Sequence, residues 1–138
     1  MIFLPTVVLN YWAIIVSVIA SMVIGFLWYG PLFAKAWMKE IGKTEAELKS
    51  GNMGMMYGLT AVGALVEAYV LAHFVGYTMS NTLALGAQTG FWIWLGFVLP
   101  VFLGLMIFEG RSMRLFWINV GYHGVVLVVM GVILAGWH

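Results

Sequence analysis

Residues 53–79 read MGMMYGLTAVGALVEAYVLAHFVGYTM, twenty-seven residues whose only charge, Glu67, stands near the centre. About 20 helical residues cross the ~30 Å hydrocarbon layer of a bilayer. The stretch is therefore long enough to span, and too apolar to form a water-facing helix. An ionisable side chain at that depth is costly, and it marks a functional site by default.

Three further apolar runs lie on either side: Pro5–Trp28, Thr82–Phe108 and Leu115–Gly136. Of the 138 residues 64% are hydrophobic and 8% charged, with a mean hydropathy of +1.04. A soluble domain carries about 25% charged residues, so these cannot build a water-facing surface. The runs are continuous, unlike the alternating ~10-residue strands of a membrane barrel. The expected fold is all-α: one domain over residues 1–138, a bundle of four transmembrane helices with a loop at 29–52. No Lys or Arg precedes Lys35 and the first apolar run is long. That is unlike a cleavable signal, with its basic start and short apolar core, so the first segment reads as a retained helix.

Charge sets the expected orientation. Lys35, Lys39, Lys43 and Lys49 fall between the first and second segments, and Arg111 and Arg114 between the third and fourth. The opposite side has no Lys or Arg. The positive-inside rule then places loops 29–52 and 109–114 in the cytoplasm and both termini outside. A net charge of +1 gives no support for nucleic-acid binding, and the absence of Cys removes disulfides, thiol redox chemistry and Cys-based metal sites.

Within 29–52, Gly30-Pro31 is expected to end the first helix. Leu32, Phe33, Ala36, Trp37 and Ile41 then recur at helical spacing, with Lys35, Lys39 and Lys43 on the other face. This pattern fits a short amphipathic helix on the inner leaflet or a solvated linker helix. Thr44 and Glu47 have the spacing of a capping box.

Small residues recur every fourth position: Ala13, Ser17, Ser21 and Gly25 in the first segment, and Ala64, Ala68, Ala72 and Gly76 in the second. Gly54/Gly58 and Gly86/Gly90 have GxxxG spacing. In lipid such ridges let helices approach closely, inside the bundle or between copies of it.

Polar residues fall into layers when counted inward at ~1.5 Å per residue. Asn10, His73 and Gln88 form an outer layer, where interhelical hydrogen bonding is the plain role. Ser17, Glu67 and His123 form a central one, with Trp94 at the same depth; Ser21 and Asn119 lie about a turn deeper. His123 is the expected partner of Glu67, and Asn119, one turn away, is placed to fix its tautomer. Such a pair can relay a proton or simply lock two helices together. Seven residues separate His73 from His123 in depth, about 10 Å. Paired haem ligation needs level ligands and is therefore not expected, nor is a metal site or cofactor. Glu109 is expected to form an interfacial ion pair with the arginines that follow.

The stretch Gly25-Phe26-Leu27-Trp28-Tyr29-Gly30-Pro31-Leu32-Phe33 with Trp37-Met38 is one of two familiar regions. The other runs through Trp94-Leu95-Gly96-Phe97, Phe108-Glu109-Gly110-Arg111, Ile118-Asn119, Gly121-Tyr122-His123 and Met130-Gly131. Together they resemble the bacterial four-helix membrane family called domain of unknown function 1761. The resemblance implies a small inner-membrane protein without an established activity. It places Asn119, His123, Glu109 and the Trp28–Pro31 turn in family-like motifs; Glu67 and His73 lie outside them. The functional expectation is a non-enzymatic, permease-like or proton-coupled protein using Glu67 and His123, with Asn119 and Ser17 beside them. The alternative is an accessory or assembly subunit. Besides the lipid bilayer, the expected partners are further copies of the chain or a larger membrane complex.

Overall fold

The computed structural model describes residues 4–138; residues 1–3 of the expected domain lie outside the described residues. All regular structure in it is helical: α1 (Tyr11–Leu27), α2 (Ala34–Ile41), α3 (Glu45–Lys49), α4 (Met53–Tyr77), α5 (Leu83–Ile93), α6 (Leu99–Glu109) and α7 (Met113–Gly136). Short π-turns extend α1 through Leu32 and join α5 to α6. The four resulting spans, Tyr11–Leu32, Met53–Tyr77, Leu83–Glu109 and Met113–Gly136, are long and apolar enough to cross a membrane.

The first span starts later and ends later than its apolar run suggests. Residues 4–10 are not helical, and Asn10 is the N-cap, its side chain accepting from the Ala13 amide at 3.2 Å. Its Nδ2 donates to the Trp137 carbonyl at 3.1 Å, which fastens the start of α1 to the end of α7. Asn10 is therefore an end cap, one turn or more shallower than the outer layer expected for it. Gly30-Pro31 does not end the helix but bends it. Gly30 leaves helical geometry (φ −112°, ψ −109°), and the Phe33 amide reaches back five residues to the Trp28 carbonyl at 2.9 Å. A proline cannot donate to the regular ladder, and a π-turn absorbs the defect.

Pro100 has the same effect on the third span. Standing second in α6, it lacks the N–H that would reach the Gly96 carbonyl, and the turn Trp94–Val98 just before it is a π-turn. The expected unbroken helix 82–108 is therefore two helices in one span.

Helix α7 is the hub. Ten of its residues are buried, against five in α4, four in α1, two in α5 and none in α6. It packs on α1, α4, α5 and α6. The tightest contact is with α5: a methyl group at Gly86 would collide with the Gly131 carbonyl, and one at Gly90 with the Leu127 carbonyl. Glycine at these positions lets the two backbones touch, as small-residue packing in lipid requires.

Other parts stand open. No residue from Met53 to Gly63 is buried, although this is half of a membrane-length helix. Gly54 and Gly58 are therefore not part of the bundle's packing; a methyl group at Gly58 would meet nothing within 4 Å.

Both interhelical loops share the basic end. There Glu40 of α2 accepts from the Ser112 hydroxyl at 2.6 Å, and Ser112 also caps α7 through the Leu115 amide. Helix α2 keeps Lys35 and Lys39 exposed and Trp37 half-buried, so it is amphipathic as expected. It stops at Gly42, and α6 stops at Gly110; both adopt the left-handed conformation (φ 70° and 66°) that glycine accepts without a Cβ clash. Thr44 caps α3 by accepting from the Glu47 amide.

Replacing Gly90 by Leu should destabilise the fold by roughly 1–3 kcal/mol or more through overpacking. Gly58→Leu should change it by less than about 0.5 kcal/mol, as at an uninvolved surface site. Thermal unfolding of the two variants in detergent checks the contrast.

At the basic end, the Lys49 ammonium bonds Glu45 at 2.8 Å and holds the Glu45 carboxyl below its ordinary value. A lowered carboxyl pKa stabilises the folded state above the unfolded value, and that support is lost as pH falls through the folded one. Helical chemical shifts of residues 45–49 should weaken in acid by NMR, and Glu45→Gln should flatten the response.

Candidate functional site

The site is best built from α7 outward, because both π-turns face it. Each begins with a tryptophan followed by a glycine two residues on: Trp28-Tyr29-Gly30 and Trp94-Leu95-Gly96. The Trp28 indole N–H donates to the Ile118 carbonyl at 2.9 Å, and that of Trp94 to the Val120 carbonyl at 2.7 Å. The rings lie over Gly121 and Gly124, where a methyl group would come within 3.1 and 3.0 Å of ring atoms. A regular α-helix already uses these carbonyls, and the indoles add second bonds to them. Two neighbouring spans thus grip one turn of α7 by the same device.

That grip positions a polar and aromatic knot. Tyr29, next to Trp28, donates its hydroxyl to Asn119 Oδ1 at 2.7 Å. Its ring meets Tyr122 edge-on at 5.3 Å and Trp37 of α2 at 5.1 Å. The Tyr122 hydroxyl reaches the Ser21 carbonyl at 3.4 Å and lies against Gly25, so the α1 ridge ends on a phenol ring. Asn119 therefore ties α7 to the first span and does not fix the His123 ring. His123, one turn on, is held between the rings of Phe102 (5.3 Å) and Tyr122 (5.0 Å).

The expected Glu67–His123 pair is not formed. Neither a hydrogen bond nor an N···O contact within 4.0 Å links them. Glu67 lies on the stripe of α4 that buries Ala64, Ala68 and Leu71. It is half-buried, and its Oε1 is shielded from solvent without a hydrogen-bond partner. Ser17, fully buried on α1, has a hydroxyl in the same condition. Among the described residues, these two are the shielded side-chain polar atoms without a hydrogen-bond partner. Ser21, 4% exposed, continues the buried ridge of α1.

His73 is elsewhere. Its Nδ1 bonds the Tyr69 carbonyl at 2.9 Å, so this nitrogen carries the hydrogen, and the ring packs beside Tyr69 at 4.8 Å. This is local decoration of α4, away from the polar knot. Gln88 is exposed and bridges no helices. Glu109 forms an ion pair with Arg111 at 2.7 Å. Among the described residues, no three His or carboxylate side chains converge on a common point.

Sequence reasoning missed Tyr29, Tyr122 and the indole bonds. The available signal was the repeated Trp-x-Gly together with glycines 121 and 124 facing it.

Fold and site together define an all-helical bundle whose four spans can cross a membrane, gripped around its last helix and carrying an unpaired buried carboxyl. The model of the family described as "Protein of unknown function (DUF1761)" matches residues 12–135, and the chain belongs to that family. No curated protein matches the chain, and no solved structure does.

Trp28→Phe and Trp94→Phe delete the indole donors and, with a smaller ring, part of the packing on α7. Each should lower stability by at least about 0.5–1.5 kcal/mol, the net worth of one hydrogen bond. Unfolding by SDS titration in mixed micelles measures it; an unchanged midpoint in both would mean the indole bonds contribute nothing.

Proposed function

We propose that the chain is a small, non-enzymatic, proton-coupled or permease-like protein of the inner membrane, with Glu67 as its proton-binding group. The supporting observation is the Glu67 carboxyl, half-buried midway along a span with one shielded oxygen unmatched. In hydrocarbon such a group must be neutral or partnered, and a helix lock would be served more cheaply by Gln or Ser. His123 is the second candidate proton-binding group; its ring packs against Phe102 and Tyr122 and makes no direct contact with Glu67. Asn119 and Tyr29 hold the turn of α7 on which His123 stands. The orientation in this reading, loop end in the cytoplasm and termini outside, is supported by the six basic residues at the loop end.

The test is proton flux into liposomes under a potassium diffusion potential, read with an entrapped pH dye. Wild type should acidify or alkalinise the lumen in the direction of the potential. Glu67→Gln should abolish that flux while keeping the elution profile and helix content of the wild type. Equal flux from the variant, or none from the wild type, contradicts the proposal.

A second reading rests on a different observation. Gly58, Gly63, Gly96 and Gly104 have nothing within 4 Å of where a side chain would start, on helices that in lipid associate through such surfaces. An accessory subunit, or a homo-oligomer, would cover these faces with other helices. Gly58→Leu should then dissociate a complex seen by cross-linking in native membranes; an unaltered cross-linking pattern would speak against it.

A further inference from the structure

Where α6 turns into α7, the two helices flank a half-open groove of about 310 Å³. Phe102, Leu105 and Met106 line it from α6, and Leu115 and Phe116 from α7. The lining on α6 runs from Phe102 to Glu109, about 10 Å of helix at ~1.5 Å per residue. This is an elongated apolar slot, and its polar groups are placed unevenly. Asn119 lies on it one turn beyond Leu115, while Glu109 and Arg111 belong to the end where the chain turns.

The Arg111 guanidinium is half exposed and spends only its Nε–H on Glu109. A guanidinium has five N–H donors, so those on its two terminal nitrogens remain for an acceptor. Nearby charge also favours an anion. Segments 29–52 and 109–114 together hold six Lys or Arg against the four acids Glu40, Glu45, Glu47 and Glu109. An apolar slot between two membrane-length helices, with a guanidinium at the end level with the loops, matches an amphiphile with one chain and an anionic head.

We propose that this groove holds the headgroup-proximal part of one acyl chain of an anionic phospholipid, with the headgroup phosphate on Arg111. The chain lies along Phe102, Met106 and Phe116. The phosphate takes the free guanidinium donors, a charge-assisted bond that Lys could match in charge but not in two-pronged geometry. This binding is independent of any role of Glu67.

Native mass spectrometry of the full chain in detergent, titrated with dioleoyl-phosphatidylglycerol, counts bound molecules. One saturable lipid is expected, with dioleoyl-phosphatidylcholine bound about tenfold more weakly. Arg111→Gln should weaken phosphatidylglycerol binding about tenfold, the worth of one charge-assisted hydrogen bond. Arg114→Gln, which does not line the groove, should leave it unchanged. Met106→Trp fills the slot and should abolish saturable binding; its thermal midpoint, measured alongside, shows whether the fold is intact, and Leu105→Phe repeats the test with a smaller intrusion. Equal losses from Arg111→Gln and Arg114→Gln would overturn the proposal in favour of diffuse surface charge. So would undiminished binding by folded Met106→Trp and Leu105→Phe. Binding of oleate without phosphatidylglycerol would overturn the phospholipid assignment.

Discussion

The close approach of α5 and α7 constrains everything else in the bundle. At Gly86 and Gly90 the two backbones touch, with Gly131 and Leu127 on the far side, and no side chain fits between them. In lipid the hydrophobic effect does not push helices together, so backbone contact of this kind and hydrogen bonds between helices do the work. Once α5 is seated, the third span continues past Trp94, and the indole of Trp94 falls on the Val120 carbonyl. The first span closes the other side with Trp28 on Ile118. Helix α7 is thus fixed from two directions over three residues, the turn that precedes His123.

Rigidity at that turn contrasts with looseness beyond it. The second span is buried only from Ala64 onward; no residue from Met53 to Gly63 is buried. Glu67 stands where packing gives way to open surface, which explains how a carboxyl can be partly shielded yet lack a partner. Two π-turns interrupt the first and third spans. Such turns break the regular ladder and often lie at functional sites. The bundle therefore combines a gripped α7, two bent spans and one half-free span around its polar groups.

Much of the fold was legible in the sequence because hydropathy and length dictate it. Four long apolar runs can satisfy their backbones in lipid only as helices. The amphipathic α2, the cap at Thr44 and the ion pair at Glu109 follow from local patterns. Hydropathy did not show where helix begins within an apolar run: Pro5 to Leu9 are as oily as α1 yet not helical, so depths counted from Pro5 put Asn10 and Ser17 too deep. The Glu67–His123 pairing failed for a related reason. Equal depth says nothing about which way two helices face, and His123 turns to Phe102 and Tyr122. The glycines divided the same way. Gly86/Gly90 and Gly54/Gly58 share one spacing, but only the first pair opposes a glycine and a carbonyl on another helix, a matching visible only in three dimensions.

The most direct test of this account is a carbon–carbon correlation spectrum of glycine-labelled protein in lipid bilayers by solid-state NMR. Without any mutation, it should show cross-peaks joining Gly86 and Gly131, whose backbones touch across α5 and α7, and none joining Gly58 to another glycine outside α4. Missing Gly86–Gly131 contacts in well-resolved spectra would contradict the packing on which the grip, the polar knot and the groove all depend.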